Sequence, residues 1–481
     1  LNLLANPEAW SGLLIETGFE VAMKVCKVGI VGGGPGGLMT AYALQKVSDI
    51  PIEVSIFEAT NRLGGKILTP QFSSAAVNYE AGAAEFYDYS QFGDDPLKEL
   101  IAELGLPISQ MGGSAVIMDN RVLSSLNDVY DQLGAAAYDS LVAFDREAKD
   151  TMVREEFYHS DDPEGIAAME AERALRESFA PTRFDSLVES VVDSSAKKFI
   201  ETLIHSDLAT EPSQTSTEYG LQNYLMNHPE YMRLYGIEGG NERLPRELAA
   251  RLDSNFLMQH SVQSISKLDN GLMRVTANHH GQLVEHDFDF VVVALPHNQI
   301  QSVEYSGERL GSAIQSHYNY YHYPAHYLRI TILFERVFWR PELTDSYWML
   351  DRFGGCCLYD ESSRVPGMTH GILGWLIAGE TAQNMSELSD EQLMEEALHS
   401  LPPILSAGRT CAVEGKVHRW IDAVNAMPGG IAARPVDRRH QPEPVEHPHL
   451  FFVGDYLYDS TLNGVVDSAE YVARWIVGIV A

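Results

Sequence analysis

Three features of the sequence predict an α/β chain joined to a second, α+β domain. They are a glycine-rich turn between an apolar strand and an apolar helix, a helix-periodic stretch over 94–230, and a late strand ending in Gly-Asp. The first carries most weight. In Lys27-Val-Gly-Ile-Val-Gly-Gly-Gly-Pro-Gly-Gly-Leu38, residues Gly32, Gly34 and Gly37 fall on the G-x-G-x-x-G spacing that lets a backbone turn tightly and approach a pyrophosphate. The helix that begins near Pro35 would offer unpaired N–H groups and its positive dipole end to that anion. Glu53-Val-Ser-Ile-Phe-Glu58 reads as the next strand, and Glu58, 26 residues after Gly32, can accept bonds from both hydroxyls of a ribose. The same carboxylate would repel a 2'-phosphate. Glycines alone mark tight turns of any purpose. The strand, helix, second strand and terminal acid together predict a dinucleotide site in a Rossmann-like domain.

At 481 residues the chain exceeds the size at which one core keeps growing, so two or three domains are expected. Its 34 basic and 67 acidic residues give a formal charge of −33, which disfavours nucleic acid or an anionic membrane as partner. The excess acid is compatible with a cationic substrate and equally with a plain solvated surface. Cys26, Cys356, Cys357 and Cys411 have no C-x-x-C spacing, which argues against a disulfide framework or a zinc site, and their scarcity suits the cytoplasm. No apolar run reaches the length of about 18 residues that a membrane span needs. Met23-Lys-Val-Cys leads straight into the first strand, so residues 1–22 are expected to add little to the core.

After Glu58, Arg62-Leu-Gly64-Gly65 permits a second close backbone approach, with Arg62 within reach of a diphosphate. Asn78-Tyr-Glu-Ala-Gly-Ala-Ala-Glu85-Phe is a small-residue turn that could lie against a flat ring. The glycine fingerprint, Glu58, Arg62-Leu-Gly-Gly, Glu80-Ala-Gly-Ala and Phe452-Val-Gly454-Asp455, in this order, resemble the FAD-dependent amine oxidase superfamily of monoamine, polyamine and L-amino-acid oxidases. The resemblance implies a Rossmann-like FAD-binding domain and a discontinuous substrate-binding domain. It places Glu58 on the adenosine ribose, Arg62 beside the pyrophosphate, the backbone of Val262 at adenine, Asp455 near the ribityl chain and diphosphate, and Val465 at the flavin edge. No cysteine follows Cys411, where some monoamine oxidases carry a covalent link, so the FAD is expected to be noncovalent.

Apolar spacing predicts helices over Pro96–Leu104, Leu126–Lys149, Gly165–Ser178 and Leu187–His205, a helical insertion over 94–230 that would cover the substrate side. Phe256–Ile265 resembles the family's route into the strand beside adenine, while alternation through Leu272–Ala277 and Leu283–Phe288 about a turn near Gly281 and the run Phe290–Pro296 predict the return to the sheet. The FAD domain would then comprise 23–93, 231–297 and 441–481. Over 298–440, strands near Tyr327–Phe334, Ser346–Leu350 and Gly371–Ala378 and a helix over Leu388–Ser400 form the substrate-binding domain. The rings of Tyr318-Asn-Tyr-Tyr-His-Tyr323 fit a pocket wall or an ordinary aromatic core. His317, His322 and His326 lack a ligand spacing, so no metal site is expected. The helix from Asn463 could aim backbone N–H groups at the pyrimidine edge, where charge develops on reduction.

Three departures from the family bear on chemistry. The family's lysine near flavin N5, ten residues before the Trp of a Phe-Trp pair, is Arg329 here, counted back from Trp339. Arginine stays charged and presents a planar fork, and a structural ion pair is an equal reading. Thr461-Leu-Asn-Gly-Val lacks the aromatic residue of many relatives, which leaves Trp420 and Tyr458 as candidate walls over the flavin. No arginine stands near Glu85 and Asp88 to clamp a substrate carboxylate, so these acids favour an ammonium, though surface or capping roles fit them too. The reading is an FAD-dependent oxidase of an amine or amino acid, transferring hydride to flavin N5 with dioxygen as acceptor, and compatible with a homodimer. Its rivals are a monooxygenase or dehydrogenase of the same fold, an apolar-tunnel desaturase, and a non-catalytic flavin-binding partner protein.

Overall fold

The computed structural model describes residues 25–113, 115–152, 183–228, 230–340, 342–365, 367–428, 434–458 and 460–480. The helix expected over Gly165–Ser178 and the first 22 residues lie outside them. The centre is a parallel sheet of five strands, in the order Leu450–Phe452, Phe290–Val293, Cys26–Val31, Ile52–Glu58 and Ser254–Met258. Such a sheet is covered on both faces, which is why its strands read as apolar runs. One face packs on helices Pro35–Val47, Arg243–Arg251 and Leu462–Val480 through Leu38, Leu44, Leu244, Val466 and Ile476. Each such fully buried side chain contributes about 1.5–3 kcal/mol. The other face packs on a four-stranded sheet that contains Gln282–Phe288, Met273–His279 and His260–Lys267.

A second sheet of seven strands runs Ala412–Asn425, Pro324–Phe334, Gly371–Ala378, Cys356–Asp360, Tyr347–Leu350, Val116–Met118 and Arg121–Leu123. Trp339, Trp348 and Trp375 fill one of its faces beneath helix Asp390–Ser400, whose start is fixed by a Ser389/Gln392 capping box. Helices Ala135–Thr151, Ser194–Leu208 and Thr217–Met226 cover the other face. A three-stranded sheet, Phe86–Asp88, Arg233–Ile237 and Ile108–Met111, lies between the two units.

Several expectations need correction. The segment 94–230 is not helical throughout, because Ile108–Met111, Val116–Met118 and Arg121–Leu123 are strands. Helix Pro96–Glu103 buries Leu97 and Ile101 in the core of the five-stranded sheet, so a boundary at 94 is too early. The helix over 126–149 is two helices parted by Gly134 at φ +97°, and that over 187–205 breaks before Asp193, which caps Ser194–Leu208. The strand over 256–265 turns at Gln259, in the left-handed region at φ +57°. The longest strand, Ala412–Asn425, is wound in charge and polarity that hide any alternation. Among the described residues no helix is long and apolar enough to cross a membrane.

Candidate functional site

The glycine turn after strand Cys26–Val31 is built by close contacts that no side chain would allow. Gly32 has φ +115°, and a Cβ there would stand 2.6 Å from the Ala294 carbonyl; one on Gly37 would stand 2.0 Å from the Gly32 carbonyl. Gly34 differs, since a Cβ there would meet nothing nearer than the Gly65 Cα, at 3.7 Å. Its openness faces the second glycine loop, where Gly64 and Gly65 also have positive φ. Glu58 closes one end, accepting from Gly33 N at 3.0 Å and from Thr60 N at 2.8 Å. Arg62 spends its guanidinium on its own loop, donating to the carbonyls of Leu63, Gly65 and Ile67. Its cation therefore shapes the Gly64-Gly65 turn from within.

The last motif meets the first. A Cβ on Gly36 would touch Val453 and Val465, so the starts of helices Pro35–Val47 and Leu462–Val480 converge. The Asn463 side chain beside Val465 is buried with its Oδ1 unpartnered. Gly454 N donates to Ser468 Oγ at 3.2 Å, and Asp455 Oδ2 lies 3.6 Å from Lys66 Nζ. Lys66 also donates to the Ala423 carbonyl at 2.6 Å, joining both glycine motifs to the seven-stranded sheet. This open, glycine-walled space with a carboxylate at one end and converging helix starts fits the diphosphate and ribose of a dinucleotide. Val262 sits on strand His260–Lys267 opposite Ala277, with its side chain in the core behind the sheet.

The turn Glu80–Ala83 is fastened from four directions. Glu80 N donates to Glu361 Oε2 at 2.7 Å, and its carbonyl accepts from Arg329 Nε at 2.6 Å. The Ala81 carbonyl accepts from Trp420 Nε1 at 2.7 Å, and that of Ala83 from Asn241 Nδ2 at 2.9 Å. Gly82 admits no side chain, because a Cβ would stand 1.8 Å from the Lys66 carbonyl. Behind the turn, Arg329 pairs with Glu361 and Arg364 lies 3.4 Å from Glu80, which places two carboxylates and two guanidiniums in one buried group. Burial pushes Glu80 up to about 7 against the opposing pull of Arg364.

Beyond this turn lie two adjoining cavities that share Tyr87, Asp207 and Met226. The first is walled by Tyr89, Tyr219 and Tyr327 and reaches Asn425, Ser460 and Thr461 beside the last helix. The second runs past Glu85, Tyr347, Cys357 and Tyr359. Among the described residues neither wall contains a lysine or arginine. Asp207 accepts from Asn227 Nδ2 at 2.9 Å, and Glu85 from the Tyr359 hydroxyl at 2.8 Å. Burial raises both carboxyls: Asp207 goes to about 7, and Glu85 rises despite Arg329 and the Tyr359 bond.

Of the residues singled out for chemistry, Glu85 lines a cavity and Trp420 holds the turn beside it. Tyr458 turns away, toward His440 at 3.4 Å and beneath Arg439, and lines neither cavity; the rings in the walls are the tyrosines named above. Asp88 is not presented to substrate either: Lys98 takes it in an ion pair at 2.6 Å. The rings around Tyr318 stack on His297 and the His317–Tyr456 group as core. Sequence reasoning missed Lys66, Asn241, Glu361 and Asp207. Lys66 directly follows the glycine pair, which is a usable signal. Asp207 ends a helix whose neighbours Leu203, Ile204, Ser206 and Leu208 are all buried, and a lone acid in such a run is another.

Residues 35–477 match the family model described as flavin containing amine oxidoreductase. Polyamine oxidase 2 of Arabidopsis thaliana is 24% identical over 451 residues, which cover 89% of this chain and 82% of that protein. A double mutant of putrescine oxidase superposes with a TM-score of 0.75 at 18% identity, over 94% of this chain and all of the other. Cyclohexylamine oxidase from Brevibacterium oxydans IH-35A gives 0.69 at 17% identity, over 95% and 99% of the two chains.

Proposed function

The chain belongs to the flavin containing amine oxidoreductase family and is an oxidoreductase, and from that premise we propose that it oxidises a cationic amine with noncovalent FAD and dioxygen. The observation that carries the choice of substrate is the cavity pair walled by tyrosines and two carboxylates, with no lysine or arginine in either wall among the described residues. An ammonium entering there gains Asp207 and Glu85 as partners and aromatic faces as walls. An amino acid would bring its own carboxylate beside those two with nothing to neutralise it, which disfavours an amino-acid oxidase or a decarboxylating monooxygenase.

Gly32, Gly34, Gly37, Gly64 and Gly65 would hold the diphosphate, Glu58 the ribose, and Asp455, Lys66 and the helix start near Val465 the flavin side. The chemistry that FAD would supply there is a two-electron oxidation, by which an amine and O2 become an imine and hydrogen peroxide. The protein's part is to orient and to handle charge. Asp207, half-ionised near neutral pH, can bind the ammonium and accept its proton, leaving the neutral nitrogen that oxidation requires. Tyr87, Tyr327 and Tyr359 shed water around it.

The test is anaerobic mixing of the holoenzyme with diamines, polyamines, aromatic monoamines and L-amino acids, followed at the flavin absorbance, then admission of oxygen. Bleaching by cationic amines, with peroxide on reoxidation, is expected. Bleaching by amino acids alone would overturn the substrate reading, and bleaching without peroxide would replace the oxidase by a dehydrogenase or monooxygenase.

A further inference from the structure

We infer that Arg329 is a positioning residue that ties the Glu80–Ala83 turn to the acidic end of the substrate cavity, rather than a cation presented to flavin or dioxygen. The inference rests on the assignment of flavin and amine above. Arg329 is fully buried in the middle of strand Pro324–Phe334. Its Nε holds the Glu80 carbonyl while its Nη2 holds Glu361, and the other oxygen of Glu361 holds Glu80 N. One arginine and one glutamate thus grip both backbone groups of a single residue. The neighbouring strand makes room for this grip: a Cβ at Gly374 would stand 2.7 Å from Glu361 Oε1 and 3.2 Å from Arg329 Nη2. A lysine ammonium at the end of a flexible stem has no fork with which to reach the carbonyl and the carboxylate together.

On its far side the guanidinium carbon stands 5.2 Å from the Tyr359 ring centre, and the Tyr359 hydroxyl donates to Glu85 at 2.8 Å. The chain of contacts therefore runs Glu80, Glu361, Arg329, Tyr359, Glu85. The charges around Glu85 are Arg329, Arg364, Glu361 and Asp207, with Tyr87, Tyr359 and Cys357 as neutral neighbours, and Arg329 opposes the effect of burial most strongly. Losing that cation drives Glu85 further toward its protonated, non-binding form.

Two readouts on holoenzyme separate this role from one at the flavin. Flavin photoreduced by deazaflavin and light, with no amine present, is reoxidised by dioxygen in the wild type, Arg329→Gln, Arg329→Lys and Glu361→Gln. The expected rates agree within about twofold. Amine KM against pH is the second. Arg329→Gln is expected to raise KM roughly tenfold and to shift its acid limb to higher pH, while Arg329→Lys restores the limb but not KM. Glu361→Gln, which leaves the cation in place and has one acceptor oxygen where Arg329 Nη2 and Glu80 N use two, is expected to raise KM with reoxidation unchanged, and it serves if the arginine variants fail to fold. Reoxidation slowed more than tenfold in Arg329→Gln and recovered in Arg329→Lys, or a change in reoxidation but not KM in Glu361→Gln, overturns the inference. If no amine bleaches the flavin, the substrate reading fails while the photoreduction arm still decides whether Arg329 acts on oxygen.

Discussion

The two halves of the site are made of different material. On the side we propose for the nucleotide the backbone would be the binding surface: Gly32, Gly34, Gly37 and Gly65 matter for atoms they lack, and Glu58 is a lone side chain at the rim. On the substrate side the backbone is remote. Asp207 comes from one helix end, Glu85 from a loop and Tyr327 from a strand, and only the fold brings them to two adjoining cavities that share Asp207. A surface made of backbone depends on local spacing, and a surface made of side chains depends on topology.

That contrast is broken or sharpened most strongly at the glycines. Gly37→Ala puts a methyl 2.0 Å from the Gly32 carbonyl, so the turn itself must move. A loss of about 3 kcal/mol or more in stability of the flavin-free protein is expected in chemical denaturation. Gly34→Val is the opposite case, for its Cβ meets only open space and Gly65 at 3.7 Å, in an ordinary extended conformation. The flavin-free protein should keep its stability while the side chain fills the diphosphate's place, at a cost of about 3 kcal/mol or roughly 150-fold in FAD affinity by fluorescence titration. A Gly34→Val protein that retains flavin would refute the backbone cradle.

Asp207→Asn sharpens the other side. It keeps shape, removes the anion, and should raise KM for a cationic amine by about 2 kcal/mol, roughly 30-fold, with FAD affinity untouched. The sign of the pH effect follows from burial. Because Asp207 sits at about 7, it is neutral below that pH and anionic above it. Amine binding should therefore weaken as pH falls through 7, by up to about tenfold per unit, and Asp207→Asn should remove the share of this limb that Asp207 carries and leave the share carried by Glu85. An unchanged limb would move the ammonium site away from Asp207.

The same division explains what could be read from the chain. The glycine turn and Glu58 follow from spacing and the second glycine pair from its loop, Gly454-Asp455 was identified by family resemblance, and the strands of the five-stranded sheet read as apolar runs between them. Asp207 could be seen only as one acid among many. Its meaning arises from Asn227, twenty residues on, and from Tyr327 on another sheet whose hydroxyl bonds the Ser206 carbonyl. The break at Gly134 was legible as a glycine, but the strand Ala412–Asn425 was not, since its pairing with Pro324–Phe334 overrides weak local preference. Arg329 shows both limits: its position was found by counting, and its partners Glu80 and Glu361 by folding.

The weakest point of the contrast is the last motif, where a side chain and not a glycine sets the backbone. His440 is fully buried and donates from Nδ1 to the Phe452 carbonyl at 2.8 Å, just before Gly454-Asp455. Burial pushes its ring down to about 3, and His317 and His297 in the adjoining core are lowered as well. An unfolded chain takes up these protons near pH 6.5, whereas the folded one refuses them, so stability is complete above 6.5 and falls as the pH drops below it. His440, which refuses the proton down to about pH 3, costs about 1.4 kcal/mol per pH unit below 6.5. His440→Asn keeps a donor for Phe452 and removes one titrating ring, so its Tm should fall less than that of the wild type between pH 7 and 5.5. If the two fall equally, His440 is not held neutral by the fold, and the flavin side rests on its glycines alone.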